Sequence, residues 1–339
     1  MSKKNSSVSL KNDFKISEDL SKLYSDFKNS LINLKKKKFV VAVSGGPDSL
    51  ALTALTKAVN SEKNLRFFYV LVNHNIRKNS FLEANKIKRL LKKNHIHLNI
   101  LNNKSQIKKN IQSEARKIRY DLLIKFCKKK KTKVLMTAHH LDDQVETFFI
   151  RLSRGSGLTG LSAMQKLTKL NREILLLRPL LNVQKKNLTK ISKMAFGGFI
   201  QDPSNKNVKF LRTRVRSLKR PLNKIGITYE QIIKSINNLS SSKETLDHYY
   251  TKISNELILK KNNQITINLT TFKTLKSEIK YRLINDSIKR LKNNYYNPRS
   301  KKTQNLIKSI ESKNFKKSTL AGCIFLKNMD ILTLKVEKK

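Results

Sequence analysis

Apolar residues in the first half of the chain fall in short blocks separated by longer amphipathic stretches. Phe39–Val43, Leu65–Val72, His97–Leu101 and Lys133–Ala138 are short and rich in β-branched and aromatic residues, and they read as strands. Between and after them, Ser49–Val59, Phe81–Lys93, Ser113–Lys129 and Leu141–Leu152 carry apolar positions at helical spacing. Apolar strands alternating with helices predict βαβ units and a parallel sheet. Such a sheet takes ligands at the carboxyl ends of its strands, here the loops after Val43, Val72 and Ala138. An amphipathic helix is expected over Ile16–Leu34, after a polar stretch of residues 1–15 that is expected to fray. A further strand is expected at Ile174–Leu177 and a helix at Val183–Ala195, ended by Gly197-Gly198. Beyond Pro221 glycine nearly disappears. Long amphipathic helices are expected over Tyr229–Leu259 and Thr271–Asn293, then a hairpin from Leu320 to Val336 turning near Asn328.

The first strand runs straight into Ser44-Gly45-Gly46-Pro47-Asp48-Ser49. Two glycines let the main chain take angles that side chains forbid and approach an anion closely. The helix that follows turns its unpaired N–H groups and positive dipole end toward that anion. Ser44 and Ser49 add hydroxyls, and Asp48 stands where it can take a magnesium ion bridging phosphate oxygens. No lysine follows in the G-x-x-x-x-G-K-[ST] register, so this is not a Walker-type loop. The plainer reading is an ordinary strand-to-helix turn.

Charge alters the picture of partners. The 339 residues include 73 Lys and Arg against 23 Asp and Glu, a net charge of +50, and the pI is near 10.4. Such a chain calls for a polyanion, RNA or DNA before a membrane surface. Abundant Lys, Asn and Ile also fit an AT-rich coding bias, which would place part of the lysine excess on solvated faces. The arginines are more telling, because they serve where a planar bidentate fork is needed. They concentrate between Arg116 and Arg220, most densely at Arg212, Arg214, Arg216 and Arg220. The two cysteines, Cys127 and Cys323, have no C-x-x-C partner, which argues against a disulfide framework, an iron–sulfur cluster or a thiol relay. No apolar run reaches the roughly 18 residues of a membrane span and no signal peptide precedes the first helix, so a cytoplasmic, soluble protein is expected.

Four further groups carry candidate chemistry. In Thr137-Ala138-His139-His140-Leu141-Asp142-Asp143-Gln144-Val145-Glu146-Thr147, a helix beginning near Leu141 puts Asp143 and Glu146 one turn apart, with His139 or His140 above them. Such a group suits a cationic substrate or proton transfer, while Asp142 alone reads as a cap. A third His or Cys at zinc spacing is lacking. The stretch from Arg151 to Leu161, with Arg154, Gly155, Gly157 and Gly160, suggests a mobile anion-binding loop. In Ser113–Tyr120, Arg116 and Arg119 share a helix face, for phosphate or for surface ion pairs. Finally Gln201-Asp202-Pro203-Ser204-Asn205 precedes Phe210, Arg212, Arg214 and Arg216; these arginines share one face if the segment is extended and splay if it is helical.

In this order, SGGPDS, EARKIRYDLL, AHHLDDQVETFFIRLSRGSGLTGLSAM, RPLL, DPSN and F-x-R-x-R-x-R, the chain resembles the tRNA(Ile)-lysidine synthetases across residues 38–218. The glycine loop alone is shared with GMP and NAD synthetases of the ATP-pyrophosphatase superfamily; the HHLDDQVET–FFIRLSRGSG block singles out this family. Asn207 departs from it, standing where an acid is expected, which touches a local ion pair.

The resemblance implies an α/β fold: a parallel-sheet, Rossmann-like ATP-pyrophosphatase domain, then a mainly helical region with a small terminal β-hairpin. The boundaries it suggests are 1–35 for the N-terminal tail and helix, 36–220 for the catalytic PP-loop domain and 221–339 for a helical tRNA-binding region. It also implies a two-step ligation with ATP and magnesium as cofactors. The wobble cytidine of a CAU-anticodon tRNA(Ile) is adenylated at O2, and the ε-amine of free L-lysine then displaces AMP at C2. The product pairs with A, so the tRNA reads AUA. Carried onto this chain, Ser44, Gly45, Gly46, Pro47, Asp48 and Ser49 bind ATP, with Asp48 holding magnesium. Asp48, His139, Asp143, Glu146, Arg116 and Arg119 are the catalytic set, and Arg151, Arg154, Arg212, Arg214 and Arg216 contact tRNA. Two rival readings are a 2-thiocytidine synthetase, whose cysteine pairs and cluster this chain lacks, and a non-catalytic RNA binder that keeps the loop as a remnant. The sequence leaves the oligomeric state open, a homodimer included.

Overall fold

The structure, a computed structural model, describes residues 17–76, 79–105, 107, 111–171, 173–200, 211–261, 263–292, 298 and 300–337. The polar N-terminal stretch and the Gln201–Asn205 motif with Asn207 and Phe210 lie outside them. In chain order the elements are α1 (Glu18–Ile32), β1 (Lys38–Val43), α2 (Pro47–Glu62), β2 (Arg66–Asn73), α3 (Ser80–Lys93), β3 (Leu98–Asn102), α4 (Ile111–Lys129), β4 (Val134–Met136), α5 (Leu141–Leu152), α6 (Leu158–Leu161), β5 (Leu167–Lys169), β6 (Leu175–Leu177), α7 (Lys185–Phe196), α8 (Leu211–Ser217), α9 (Lys219–Lys224), α10 (Tyr229–Leu257), β7 (Leu259–Lys261), β8 (Gln264–Asn268), α11 (Leu269–Thr274), α12 (Ser277–Lys292), α13 (Ser300–Glu311), β9 (Lys317–Leu320), β10 (Cys323–Asn328) and β11 (Ile331–Val336). They form two compact units, Met1–Ser240 and Ser241–Lys339.

The first unit is a sheet in the order β3-β2-β1-β4-β6-β5. All its pairs are parallel except β5–β6. Strand β1 is buried on both faces. Phe39, Val41 and Val43 pack into one core with α1, α2, α3 and α7, while Val40 packs into a second with Leu123, Phe126 and Cys127 of α4. That two-sided burial is why its sequence shows no polar alternation. Helix α2 is covered all round: Leu50, Ala51, Leu52, Ala54, Leu55, Ala58 and Val59 are inaccessible, with α1 and α7 against it. Burying each of its leucines contributes about 1.5–3 kcal/mol. The α1 helix is pinned by Tyr24 and Lys28, which both reach Glu62 at the end of α2.

The sequence sets a boundary at residue 220, whereas the compact units divide at Ser240, inside α10. The reason is packing. Tyr229, Ile232 and Ile236 of α10 bury against Leu141 and Val145 of α5, so this half of the helix belongs to the first unit.

The second unit is an antiparallel sheet, β7-β8-β11-β10-β9, with α11–α13. Ile265, Ile267, Leu332, Leu334, Cys323 and Phe325 alternate along its strands into one core with Phe272, Leu283, Ile284 and Ile310. The expected terminal hairpin is present, Asn328 pairing with Ile331, and it forms part of a five-stranded sheet. The expected helix over Thr271–Asn293 is broken: Leu275 is extended, and Asn268 caps α11 through Thr271 N–H at 2.9 Å. Among the described residues no helix is long and apolar enough to cross a membrane.

Candidate active site

The chain leaves β1 outward to β2 and β3, then returns to β4 on the other side of β1. The loops after β1 and β4 therefore diverge, and between them opens the crevice where doubly wound sheets bind nucleotides.

On one side stands the glycine loop. Gly45 has φ +83°, and a Cβ there would lie 2.2 Å from Ile87 Cδ1 of α3, so only glycine fits. Gly46 is different: its φ is −75°, it caps α2, and a Cβ would meet nothing nearer than Ser44 Oγ at 3.8 Å. The loop's shape is carried by Ser49. Its hydroxyl accepts the N–H groups of Ser44 and Gly45 at 3.0 and 3.1 Å and donates to Gly46 O at 3.0 Å. Ser49 thus knits the loop from within, while Ser44 lies exposed beside it. Pro47 opens α2 at its first position, where the missing N–H costs no helical hydrogen bond, and the first-turn N–H groups that follow lack intrahelical acceptors.

On the other side are His139 and His140. Buried His140 joins the two loops, with Nε2 3.5 Å from Asp48 Oδ2 and 3.6 Å from Asp143 Oδ2. Burial opposes its charge, but the hydrogen bond to Asp48 and the charges of Asp143, Asp48 and Asp142 prevail and raise its pKa. Asp143 is held below the ordinary carboxylate range: burial works against ionisation, yet His140, Arg212, His139 and the backbone N–H of His140 outweigh it. His139 goes the other way. Burial, with Arg178, Arg119 and Arg212 nearby, outweighs Asp143 and lowers its pKa to about 3. Its Nδ1 shares a 2.8 Å hydrogen bond with Thr137 Oγ1. The two neighbours are therefore pushed in opposite directions, His139 toward the neutral hydrogen-bonding imidazole and His140 toward the charged form.

Helix α8 settles the extended-or-helical alternative for the arginine segment, and Arg212 and Arg216, four apart, share a face. Arg212 reaches Glu146 Oε2 through Nε at 2.5 Å and Asp143 Oδ1 through Nη2 at 2.8 Å. Arg216 holds the other Glu146 oxygen at 2.5 Å. Glu146 is 1 % exposed, and these two guanidiniums, one of them shared with Asp143, face its two oxygens. Arg214 points outward and is exposed, as is Arg154. Arg151 donates to the carbonyls of Gly160 and Ala163 at 2.6 and 2.9 Å, bracing the glycine-rich loop after α5. Arg116 and Arg119 both lie over the Tyr120 ring, at 5.0 and 5.4 Å. Only Arg119 extends electrostatically to His74 and His139; Arg116 stays exposed.

Asp48 suits a magnesium–phosphate complex. Its Oδ1 is buried without a hydrogen-bond partner, and among the described residues no group of three His, Cys, Asp or Glu forms a metal cage. A single carboxylate beside a phosphate cradle is how magnesium is usually held. Four residues of this region carry no assigned role in the sequence reading: His74, His140 as the link to Asp48, Gln144 and buried Arg178. Gln144 does stand within the HHLDDQVET block, which is the signal that could have found it.

Comparison with known proteins bears on the family and the fold. Residues 14–221 match the family model of the PP-loop domain. A tRNA(Ile)-lysidine synthase of Wolbachia pipientis wMel is 37 % identical over 84 % of this chain and 67 % of its own length. One from Wolbachia sp. subsp. Brugia malayi is 34 % identical over 90 % of this chain and 72 % of its own. Among solved structures, the U34-tRNA thiolase NcsA of Methanococcus maripaludis, which carries a [4Fe-4S] cluster, aligns with a TM-score of 0.56 at 18 % identity, over 68 % of this chain and 80 % of that one. That likeness concerns the fold. With the PP-loop matched and two relatives above 30 % identity across most of both chains, the protein belongs to the tRNA(Ile)-lysidine synthase family of ATP-dependent PP-loop ligases.

Proposed function

We propose that the chain ligates free L-lysine to C2 of the wobble cytidine in a CAU-anticodon tRNA(Ile). Cytidine O2 attacks the α-phosphorus of ATP and pyrophosphate leaves. The ε-amine of lysine then attacks C2, the C2–O bond breaks, and AMP departs. The reading is supported most by one contact: His140 touches both Asp48 of the phosphate loop and Asp143 of the buried carboxylate pair. Nucleotide chemistry and amine chemistry thereby meet at the switch point.

Each group has a matching task. The glycine loop and the α2 N-terminus bind the triphosphate. Asp48 holds magnesium, which supplies charge neutralisation on the phosphates when bound. Neutral His139 and the Arg119 guanidinium suit hydrogen bonding to the α-phosphate or to the cytosine, with Arg116 outside them. Asp143 and Glu146 receive the ammonium of lysine and the proton it sheds. In the substrate-free chain Arg212 and Arg216 neutralise those carboxylates; RNA phosphates compete for the same guanidiniums. Arg154 and Arg214, being exposed, suit the RNA backbone directly, and Arg151 acts through the loop it braces. A thiolation reading gains nothing from the two cysteines, each buried and one in each unit. A homodimer remains compatible with this chemistry.

The test is mass spectrometry of a CAU transcript incubated with the protein, ATP, magnesium and isotopically labelled lysine. A label on the wobble cytidine with one AMP released per event is expected. No label on any RNA would overturn the proposal.

A further inference from the structure

Two stretches of the family pattern have no part in the chemistry above: Gly160–Met164 and Arg178–Leu181. They meet around one cavity of about 160 Å³ within the first unit. Met164 and Leu181 give it apolar wall, and Lys166, Arg178 and Asn182 give it polar wall. Gln144, next to Asp143 on α5, closes one side. No acidic residue lines it.

The walls are built rather than incidental. Gln144 is fixed by two hydrogen bonds to the Met164 main chain, at 2.9 and 2.8 Å. Arg178 is 6 % exposed and donates to Gln165 O at 2.7 Å and Thr168 Oγ1 at 2.9 Å, so its guanidinium is held in place. The cavity adjoins the carboxylate site through α5, whose Gln144 lines it and whose Asp143, the preceding residue, belongs to the buried pair.

A pocket with two cations, apolar sides and no acid repels a diamine and admits a molecule that carries a carboxylate. The nucleophile proposed above is an amine distinguished from other amines by a carboxylate. We propose that this cavity seats the α-carboxylate end of the lysine substrate, with Lys166 and Arg178 facing the carboxylate and Met164 and Leu181 flanking the methylene chain. The proposal rests on the lysine-ligation reading. It makes the cavity the place where lysine is told from polyamines, which carry the same reactive amine.

The test uses the full chain, a CAU transcript, ATP and magnesium, and reads the KM for L-lysine together with the inhibition constant of 1,5-diaminopentane, which lacks the carboxylate. Lys166 is exposed, so Lys166→Ala leaves the fold intact. It should raise the KM for lysine about tenfold, as expected for one lost charge-assisted contact. The inhibition constant of the diamine should stay the same or fall, and kcat at saturating lysine should hold. An unchanged KM in an enzyme whose wild type incorporates lysine would overturn the cavity assignment alone. So would weaker RNA binding with lysine KM unchanged, which would make the cavity a phosphate site. No lysine incorporation by the wild type would instead remove the ligation reading itself.

Discussion

Arg212 and Glu146, 66 residues apart in the chain, are joined at 2.5 Å, and the join brings the arginine segment onto the carboxylates of α5. A buried carboxylate deprived of its partner is strongly destabilising, about 3–5 kcal/mol. Here two guanidiniums share Glu146, and both are about a third accessible. Arg216→Ala should therefore lower stability by a smaller amount, about 1–2 kcal/mol. Arg216→Lys should recover only part of it, since an ammonium lacks the fork. Denaturant midpoints at neutral pH check both.

Gly45 and Gly46 should respond differently to alanine. At Gly45 the added carbon strikes Ile87 at 2.2 Å and φ is +83°, so the variant should lose several kcal/mol of stability. At Gly46 nothing in the protein is struck. Gly46→Ala should keep its melting temperature within a degree or two, by roughly 0.5 kcal/mol at most, yet lose ATP affinity, as the proposed close approach of phosphate to the loop requires. Calorimetric ATP titration beside a thermal melt separates the two.

Asp48→Ala should reduce the rate of AMP formation by about two to three orders of magnitude, the scale of one lost electrostatic stabiliser. Binding of the RNA, measured by filter retention, should not change. An RNA binder that merely keeps the loop would show no defect in either assay.

His139 fixes the sign of one pH dependence. Its folded pKa is lowered from 6.5 to about 3, so on acidification the unfolded chain takes up a proton that the folded chain refuses. Its contribution is intact above pH 6.5 and is lost as pH falls from there toward 3. His139→Gln should flatten the fall in stability across that window, read from urea unfolding at successive pH values.

Arg214→Ala should weaken RNA binding, and the slope of log affinity against log salt should become shallower by about one. ATP affinity and melting temperature should match the wild type, since Arg214 is exposed and lies off the carboxylate face of α8.

The sheet domain was legible because its determinants are local. Strand β1 is apolar on both faces, α2 follows two glycines directly, and α5 begins and ends where its apolar spacing does, at Leu141 and Leu152. The strands that went unread, β5 and β7–β9, are three to five residues long, too short for a period to stand out from their lysine-rich surroundings. In the site, Gly45, Asp48 and the Asp143–Glu146 pair are visible as a motif. The closure of Arg212 and Arg216 onto that pair is not, because it depends on the chain folding back over the distance that separates α5 from α8. The reversal of the two histidines is invisible for a similar reason. His139 and His140 are neighbours in sequence, and only the surrounding arginines and carboxylates tell them apart.

Arg151, reaching the carbonyls of Gly160 and Ala163, braces from beneath a turn whose Gly155 and Gly157 have nothing within 4 Å of where a β-carbon would stand. The tip is thus a bare ledge on which another macromolecule's backbone can rest flush against peptide groups. Bulk added at Gly157, whose φ of −78° any residue adopts, would act as a spacer. It would hold a large partner off by a side chain's length and leave the handling of small molecules untouched.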